Sequence, residues 1–237
     1  MLRGIMFVAV CALLSTPASA QSPSHAEVFV VHGIPGQDVP GAPRDLPVDV
    51  SVNGACALPN FRYGQVVGPL SFSPGTYRVA VHFPATGSCT SAAVIGPASI
   101  PLAAGENATL LAHLTGTGTL TASKFVNDLR QTSSGRARVV VHHTANAPAV
   151  DFYLTTQFGN ALATRGLATS VVNGETATLP VAGQSTQLAI TAAGQTAAAF
   201  GPVGIGLQPN RAYLLYVVGS LANNSLNIIA KDVSELR

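Results

Sequence analysis

Hydrophobic and polar residues alternate with a period of two along most of the chain, and glycine, proline and asparagine interrupt the alternation at short intervals. Val28, Val30 and His32 share one face of a first strand. A proline-bearing loop over residues 33–47 follows. Val48, Val50 and Val52 then alternate against Asp49, Ser51 and Asn53, and Asn53-Gly54 reads as a hairpin turn. Tyr77, Val79 and Val81 alternate against Arg78, Ala80 and His82. Further strands are predicted over residues 92–100, 107–114 and 120–126, and no segment sustains a helical period. The pattern is that of an all-β chain.

The order is then repeated. Glu27-Val-Phe-Val-Val-His32 followed by Pro47-Val-Asp-Val50 returns as Arg138-Val-Val-Val-His-His143 followed by Ala149-Val-Asp-Phe152. His32 thus matches His143, and Asp49 matches Asp151. Gly96-Pro97 matches Gly201-Pro202, and residues 107–114 align with residues 211–218. The period, about 105–110 residues, is far too long for a solenoid unit and marks two copies of one domain. The joint is placed in the polar stretch over residues 129–135. Domains are therefore predicted over residues 21–129 and 136–237, each expected to fold alone. Short strands at this density point to two tandem immunoglobulin-like antiparallel β-sandwiches, although the chain has no Trp. The uncharged segment over residues 176–210 is read as sandwich core.

The first twenty residues are read as a cleaved signal peptide. Residues 4–14 form an apolar run shorter than the ~20 residues a membrane span needs. Pro17-Ala-Ser-Ala20 supplies the small residues of a cleavage site before Gln21. Cleavage removes Cys11 and leaves Cys56 and Cys89, an even count that predicts one disulfide in an exported chain. The expected location is secreted or extracytoplasmic, in the periplasm or cell wall, with no membrane span after cleavage. Charged residues make up 9% of the chain and the net charge is +2. With no block of Lys and Arg, a nucleic-acid partner is excluded on electrostatic grounds.

His32 with Asp49 and His143 with Asp151 form the one repeated pairing of functional residue types. Zinc takes three or four protein ligands, and each copy offers two repeated ones. His82 and His113 occur in the first copy only, opposite Thr191 and Val217. The chain has no G-x-S-x-G elbow for a hydrolytic nucleophile. Gly68-Pro69, Gly96-Pro97 and Gly201-Pro202 are read as turn or edge punctuation. The four His and Asp residues are accordingly expected to be structural, with each His bonding a backbone or carboxylate group, and no catalytic residue, metal or cofactor is assigned. The predicted function is a non-enzymatic binding or structural module whose partner is a protein or a cell-envelope polymer. Two alternatives accompany it: a carbohydrate or cell-wall binder displaying Tyr153 and Tyr213, and a metal-dependent hydrolase using the His/Asp pairs.

The strand ending in His, the Pro47-Val-Asp or Ala149-Val-Asp opening of the next strand, and Asn53-Gly54 together resemble the bacterial domain-of-unknown-function family 4397. Pro74-Gly75-Thr-Tyr77-Arg-Val79 is similar to that family's G-x-Y-x-V stretch. The resemblance extends over two tandem copies. It implies an exported β-sandwich and supplies no activity.

Overall fold

The computed structural model describes residues 24–155 and 166–236, so the predicted signal peptide lies outside the described residues. The first half contains β1 (Ala26–His32), β2 (Val48–Val52), β3 (Ala55–Phe61), β4 (Val66–Phe72), β5 (Gly75–His82), β6 (Ala93–Leu102), β7 (Asn107–Leu114) and β8 (Leu120–Val126). The second contains β9 (Arg136–His143), β10 (Val150–Thr155), β11 (Gly166–Val171), β12 (Thr176–Ala182), β13 (Ser185–Ala192), β14 (Ala198–Gly206), β15 (Ala212–Val218) and β16 (Asn227–Asp232). Sheets of order β4-β1-β7-β8 and β3-β2-β5-β6 face each other in the first half. Sheets of order β12-β9-β15-β16 and β11-β10-β13-β14 repeat the arrangement strand for strand. The chain is all-β and folds into sandwiches. Within each, pairing is antiparallel except where the first strand meets the seventh, β1 with β7 and β9 with β15, which run parallel.

Two readings of the sequence are corrected. The pattern does not predict strands over residues 55–61 and 66–72, because Pro59 and Gly68-Pro69 interrupt them. They form β3 and β4, which lie at sheet edges. Proline cannot donate to a ladder, and an edge strand does not ask it to. Of the turn or edge reading of the Gly-Pro pairs, the edge alternative holds: Gly96-Pro97 and Gly201-Pro202 sit within the edge strands β6 and β14. Both glycines have a left-handed backbone, φ +81° and +83°. A Cβ on either would lie 2.7 Å from the Val79 carbonyl oxygen or 2.6 Å from that of Leu188, so glycine is required there.

The second correction concerns register. Val28 pairs with Ala108, and its counterpart Val139 pairs with Tyr213. Ala108 therefore corresponds to Tyr213, Ala112 to Val217 and His113 to Val218, one residue away from the alignment of residues 107–114 with 211–218. The cause is burial on both faces of β7 and β15. A strand that is apolar on both sides carries no alternation to fix its register, so the Leu-Leu pairs align out of step.

That two-sided burial is the main architectural feature. Val28, Leu102, Val48, Val50 and Val81 fill the first sandwich, and Val139, Phe152, Leu188, Ile190 and Leu215 fill the second. The opposite faces of β1, β7, β9 and β15 meet each other. Phe29, Val31, Leu111 and Phe125 of the first half pack there against Val140, Leu214, Tyr216, Val218 and Ile229 of the second. Side chains of this size contribute roughly 1.5–3 kcal/mol each when fully buried. The two sandwiches thus share a third apolar layer.

Candidate functional site

His32 ends β1 on its inward face, fully buried. Its Nε2–H donates to the Leu46 carbonyl at 2.8 Å, and its Nδ1 accepts the Ile34 amide at 3.3 Å. Leu46 lies two residues before β2 and has φ 27°, so the ring pins the irregular end of the long β1–β2 loop. His143 ends β9 in the same way, and its Nε2–H donates to the Pro148 carbonyl at 3.3 Å, two residues before β10. Burial lowers the pKa of His32 to about 4, against the opposing effect of the Leu46 bond. Burial lowers that of His143 as well. Both rings are therefore neutral, which the donor–acceptor pattern of His32 also requires.

The aspartates do something different. Asp49 is buried, and its two oxygens accept the amides of Asn60 at 2.8 Å and Cys89 at 2.7 Å. Asp151 accepts those of Ser170 at 2.7 Å and Gly194 at 2.8 Å. All four donors have left-handed backbones: φ 52° at Asn60, 58° at Cys89, 57° at Ser170 and 73° at Gly194. Asn60 lies where the pairing of β2 with β3 slips between Val48/Phe61 and Val50/Leu58. Ser170 lies at the same slip between β10 and β11. Each carboxylate therefore holds a β-bulge with one oxygen and the loop between the fifth and sixth strands with the other. A left-handed residue points its amide away from the ladder, and a charged acceptor compensates strongly for the lost partner.

The structure does not bring His and Asp together. Each His serves the loop before the second strand, and each Asp serves a bulge and a distant loop. Among the described residues, the grouping of metal-ligating residue types that does occur is Asp49, Cys56 and Cys89, whose ligand atoms lie within 4.8 Å of one another. These atoms are engaged otherwise: Cys56 and Cys89 form a disulfide with Cα atoms 5.6 Å apart, and both Asp49 oxygens accept amides. The predicted disulfide thus ties β3 to the same loop that Asp49 holds. His82 is bonded to Ser51 Oγ at 2.9 Å and to the Ser91 carbonyl at 2.8 Å. His113 is bonded to the Leu114 carbonyl at 2.8 Å and to Ser123 Oγ at 2.9 Å. Tyr213, suggested by alternation as an exposed aromatic, is buried in the second core, where its hydroxyl accepts the Gln208 amide. Both faces of β15 are covered, so alternation there does not mark a surface. Tyr153 is half-buried.

Sequence reasoning passes over the polar network between the sandwiches. His142, next to His143 but on the opposite face, is fully buried. Its Nε2–H donates to Asn127 Oδ1 at 2.9 Å, and its Nδ1 meets Thr176 Oγ1 at 2.8 Å. Asn127 Nδ2 donates to Asn107 Oδ1 at 2.8 Å and Thr109 Oγ1 at 3.1 Å, and Thr109 in turn meets the Tyr216 hydroxyl at 3.0 Å. Burial lowers the pKa of His142 to about 3 and raises that of Tyr216. At the rim, Asp38 accepts Asn223 Nδ2 at 2.8 Å and Ser225 Oγ at 2.6 Å. Asn173 Nδ2 donates to carbonyls of both halves, Leu114 and Ala145. The one signal in the sequence is the doubled His at 142–143, since alternation must bury one on each face.

The family model described as a domain of unknown function (DUF4397) matches residues 26–153, more than half of the chain, from β1 into β10. No curated protein matches the sequence. Among solved structures, the Bacillus anthracis TIE protein is similar at 12% identity and a TM-score of 0.22, over 82% of this chain and 34% of that one. The chain thus spans about a third of that protein's length. A candidate cell adhesion protein from Bacteroides ovatus is similar at 12% identity and a TM-score of 0.26, over 89% of this chain and 97% of that one. At such scores neither likeness carries an argument.

Proposed function

The chain belongs to the domain-of-unknown-function family DUF4397, which brings no activity with it, and we propose that it is an exported, non-enzymatic module whose joined sandwiches bind or space partners at or beyond the cell surface. The observation that carries this reading is the engagement of the duplicated residues. Both oxygens of Asp49 and of Asp151 accept backbone amides, and His32 and His143 each donate to a loop carbonyl. A general base needs an oxygen or nitrogen free to take a proton from substrate, and a metal shell needs convergent lone pairs. These four residues hold loops instead, and the one ring nitrogen among them without a partner, His143 Nδ1, is buried away from any substrate. The Cys56–Cys89 bridge supports an oxidising, extracytoplasmic location. The low charge of the chain favours a protein or an envelope polymer as partner over an anionic surface.

Elemental analysis of native protein, with melting curves of His32→Ala and His143→Ala, tests the reading. Each variant should melt lower and carry no less metal than the parent. A stoichiometric transition metal stripped by either substitution would overturn the proposal, as would a hydrolytic turnover lost in a variant that keeps its fold. N-terminal sequencing of exported protein should begin at Gln21.

A further inference from the structure

The first sandwich contains an apolar cavity of about 180 Å³ between its sheets. At the corresponding place the second sandwich has one of about 10 Å³. The duplication supplies the comparison, because the registers equate the residues of the two cores. Val50 corresponds to Phe152, Val79 to Leu188, Val81 to Ile190 and Ala112 to Val217. In the first copy all four line the cavity, and each is smaller than its counterpart. Around the rim the balance is reversed, since Phe61, Phe72 and Tyr77 exceed their counterparts Val171, Val181 and Thr186; among the described residues the centre of the second core is nonetheless filled where that of the first is hollow.

The cavity lining extends to the edge strands β3 and β4 on one side and to Ile100 of β6 and Ala122 of β8 on the other. Leu58 on β3 and Leu70 and Phe72 on β4 line it and are only partly buried. On the opposite side, β6 and β8 close against each other, and in the second sandwich β11 and β12 do so where β3 and β4 stand apart. The lining carries no charged residue, and the hydroxyl of Tyr77 donates to the Ser73 carbonyl. An apolar cavity of about 150 Å³ stays dry and takes up small hydrocarbons. This one extends along β2 from Val48 to Val52 and along β5 from Tyr77 to Val81. At ~3.3 Å per residue that is about 13 Å, between sheets about 10 Å apart. The volume is therefore drawn out into a slot, a shape that suits an extended chain better than a ring.

We propose that the first sandwich binds one alkyl chain between its sheets, entering between β3 and β4 with its polar head left at the surface. The chain is that of a free fatty alcohol or acid, or the acyl tail of a membrane lipid. The site goes beyond the binding-module reading and stands independently of the roles of His32, Asp49, His143 and Asp151.

Titration calorimetry of the full chain with 1-decanol tests the proposal. The expected result is saturable binding of one decanol per chain. Val50→Phe and Ala112→Val, which copy the second sandwich, should weaken it at least tenfold while the unliganded melting temperature holds or rises. Val217→Ala in the second sandwich should leave it unchanged. If Val50→Phe fails to fold, the milder pair Val79→Leu with Val81→Ile makes the same test. Flotation with phosphatidylethanolamine/phosphatidylglycerol vesicles separates the sources. Vesicle recovery lost in the filled variants identifies a lipid tail, and decanol binding without vesicle recovery identifies a free chain; both uphold the site. Folded parent protein that does not bind decanol saturably overturns it, as do filled variants that bind as the parent does.

Discussion

The imidazole of His142, on the first strand of the second sandwich, lies with its ring centroid 4.7 Å from that of Phe125, on the last strand of the first. It also stacks on Tyr216 at 5.5 Å and donates to Asn127. One side chain therefore belongs to the apolar layer and to the polar network that join the halves. Removing it takes one of two donors from buried Asn127 Oδ1, which keeps the Thr109 hydroxyl at 3.2 Å, and takes the ring partner from Thr176 Oγ1, a deficit of about 1–3 kcal/mol before any cavity is counted. His142→Ala should lower the melting temperature of the whole protein. Combined with Asn127→Ala, the two losses should fall short of their sum, because the partners are already separated in each single variant. Strict additivity would mean that the pair is not coupled.

The shared layer also governs what a fragment can do. A chain starting at residue 134 keeps every strand of the second sandwich but bares Val140, Leu214, Tyr216 and Val218. The sequence alone predicts that each half folds by itself. The structure adds that such a fragment should unfold at lower urea than the intact protein and bind a hydrophobic dye that the intact protein does not. Equal stability and no dye binding would show that the layer contributes little.

The loop between β5 and β6 is held twice, by the disulfide at Cys89 and by Asp49 at the Cys89 amide. Closing a loop over a separation of 33 residues is worth about 3–4 kcal/mol on the chain-entropy model. Reduction should lower stability by that order in the first sandwich. Because Asp49 still grips the loop, the fold should persist at neutral pH, with near-native circular dichroism. Global unfolding on reduction would show that the carboxylate alone is insufficient.

Much of this is legible in the sequence where one face of a strand is wet, and illegible where neither is. β1, β2 and β5 are readable from alternation, and the repeated His and Asp from their recurrence after the same strands. β3 and β4 are not, because Pro59 and Pro69 read as breakers and are tolerated only through edge positions that sequence does not display. β7 and β15 mislead in register for the opposite reason, since burial on both faces erases the period. The contacts of Asp49 and Asp151 depend on bulges and left-handed residues, of which Asn60 and Ser170 carry no distinguishing signal. The hollow of the first sandwich is a difference of a few methylenes spread over three strands, visible only once the registers equate Val50 with Phe152.

Asp49→Asn and Asp151→Asn should each destabilise their own sandwich. The amide keeps one acceptor and turns an NH₂ group toward the second backbone N–H, so one left-handed residue loses its partner and the other loses a charged one. A cost of about 1–3 kcal/mol per substitution is expected, with faster proteolysis in the loop after β5 or after β13. An unchanged urea midpoint in both variants would remove the clamp interpretation.

Acid should destabilise the protein over a window set by the buried histidines. Burial lowers the pKa of His32 to about 4 and that of His142 to about 3, and lowers those of His113 and His143 in the same direction. An unfolded His titrates near 6.5. Below that pH the unfolded chain binds protons that the folded chain refuses, so stability falls as pH drops from 6.5 toward 4 and is constant above 7. A tenfold loss of proton affinity on folding corresponds to about 1.4 kcal/mol, so His32 and His142 alone cost on the order of several kcal/mol across the window. Asp128, which hydrogen bonds to Arg130 hold at about 2, acts in another range. Its contribution is complete above the unfolded value near 4 and is lost only as pH falls toward 2, so it does not account for losses between 6.5 and 4. The urea midpoint should therefore be flat from pH 7 to 8 and fall between pH 6.5 and 4.5. His32→Gln should start less stable and lose less on acidification, because the group that resists protonation is gone. A midpoint independent of pH across that window would show that the buried rings take up protons without cost, contrary to the neutral form that the Ile34 amide imposes on His32 Nδ1.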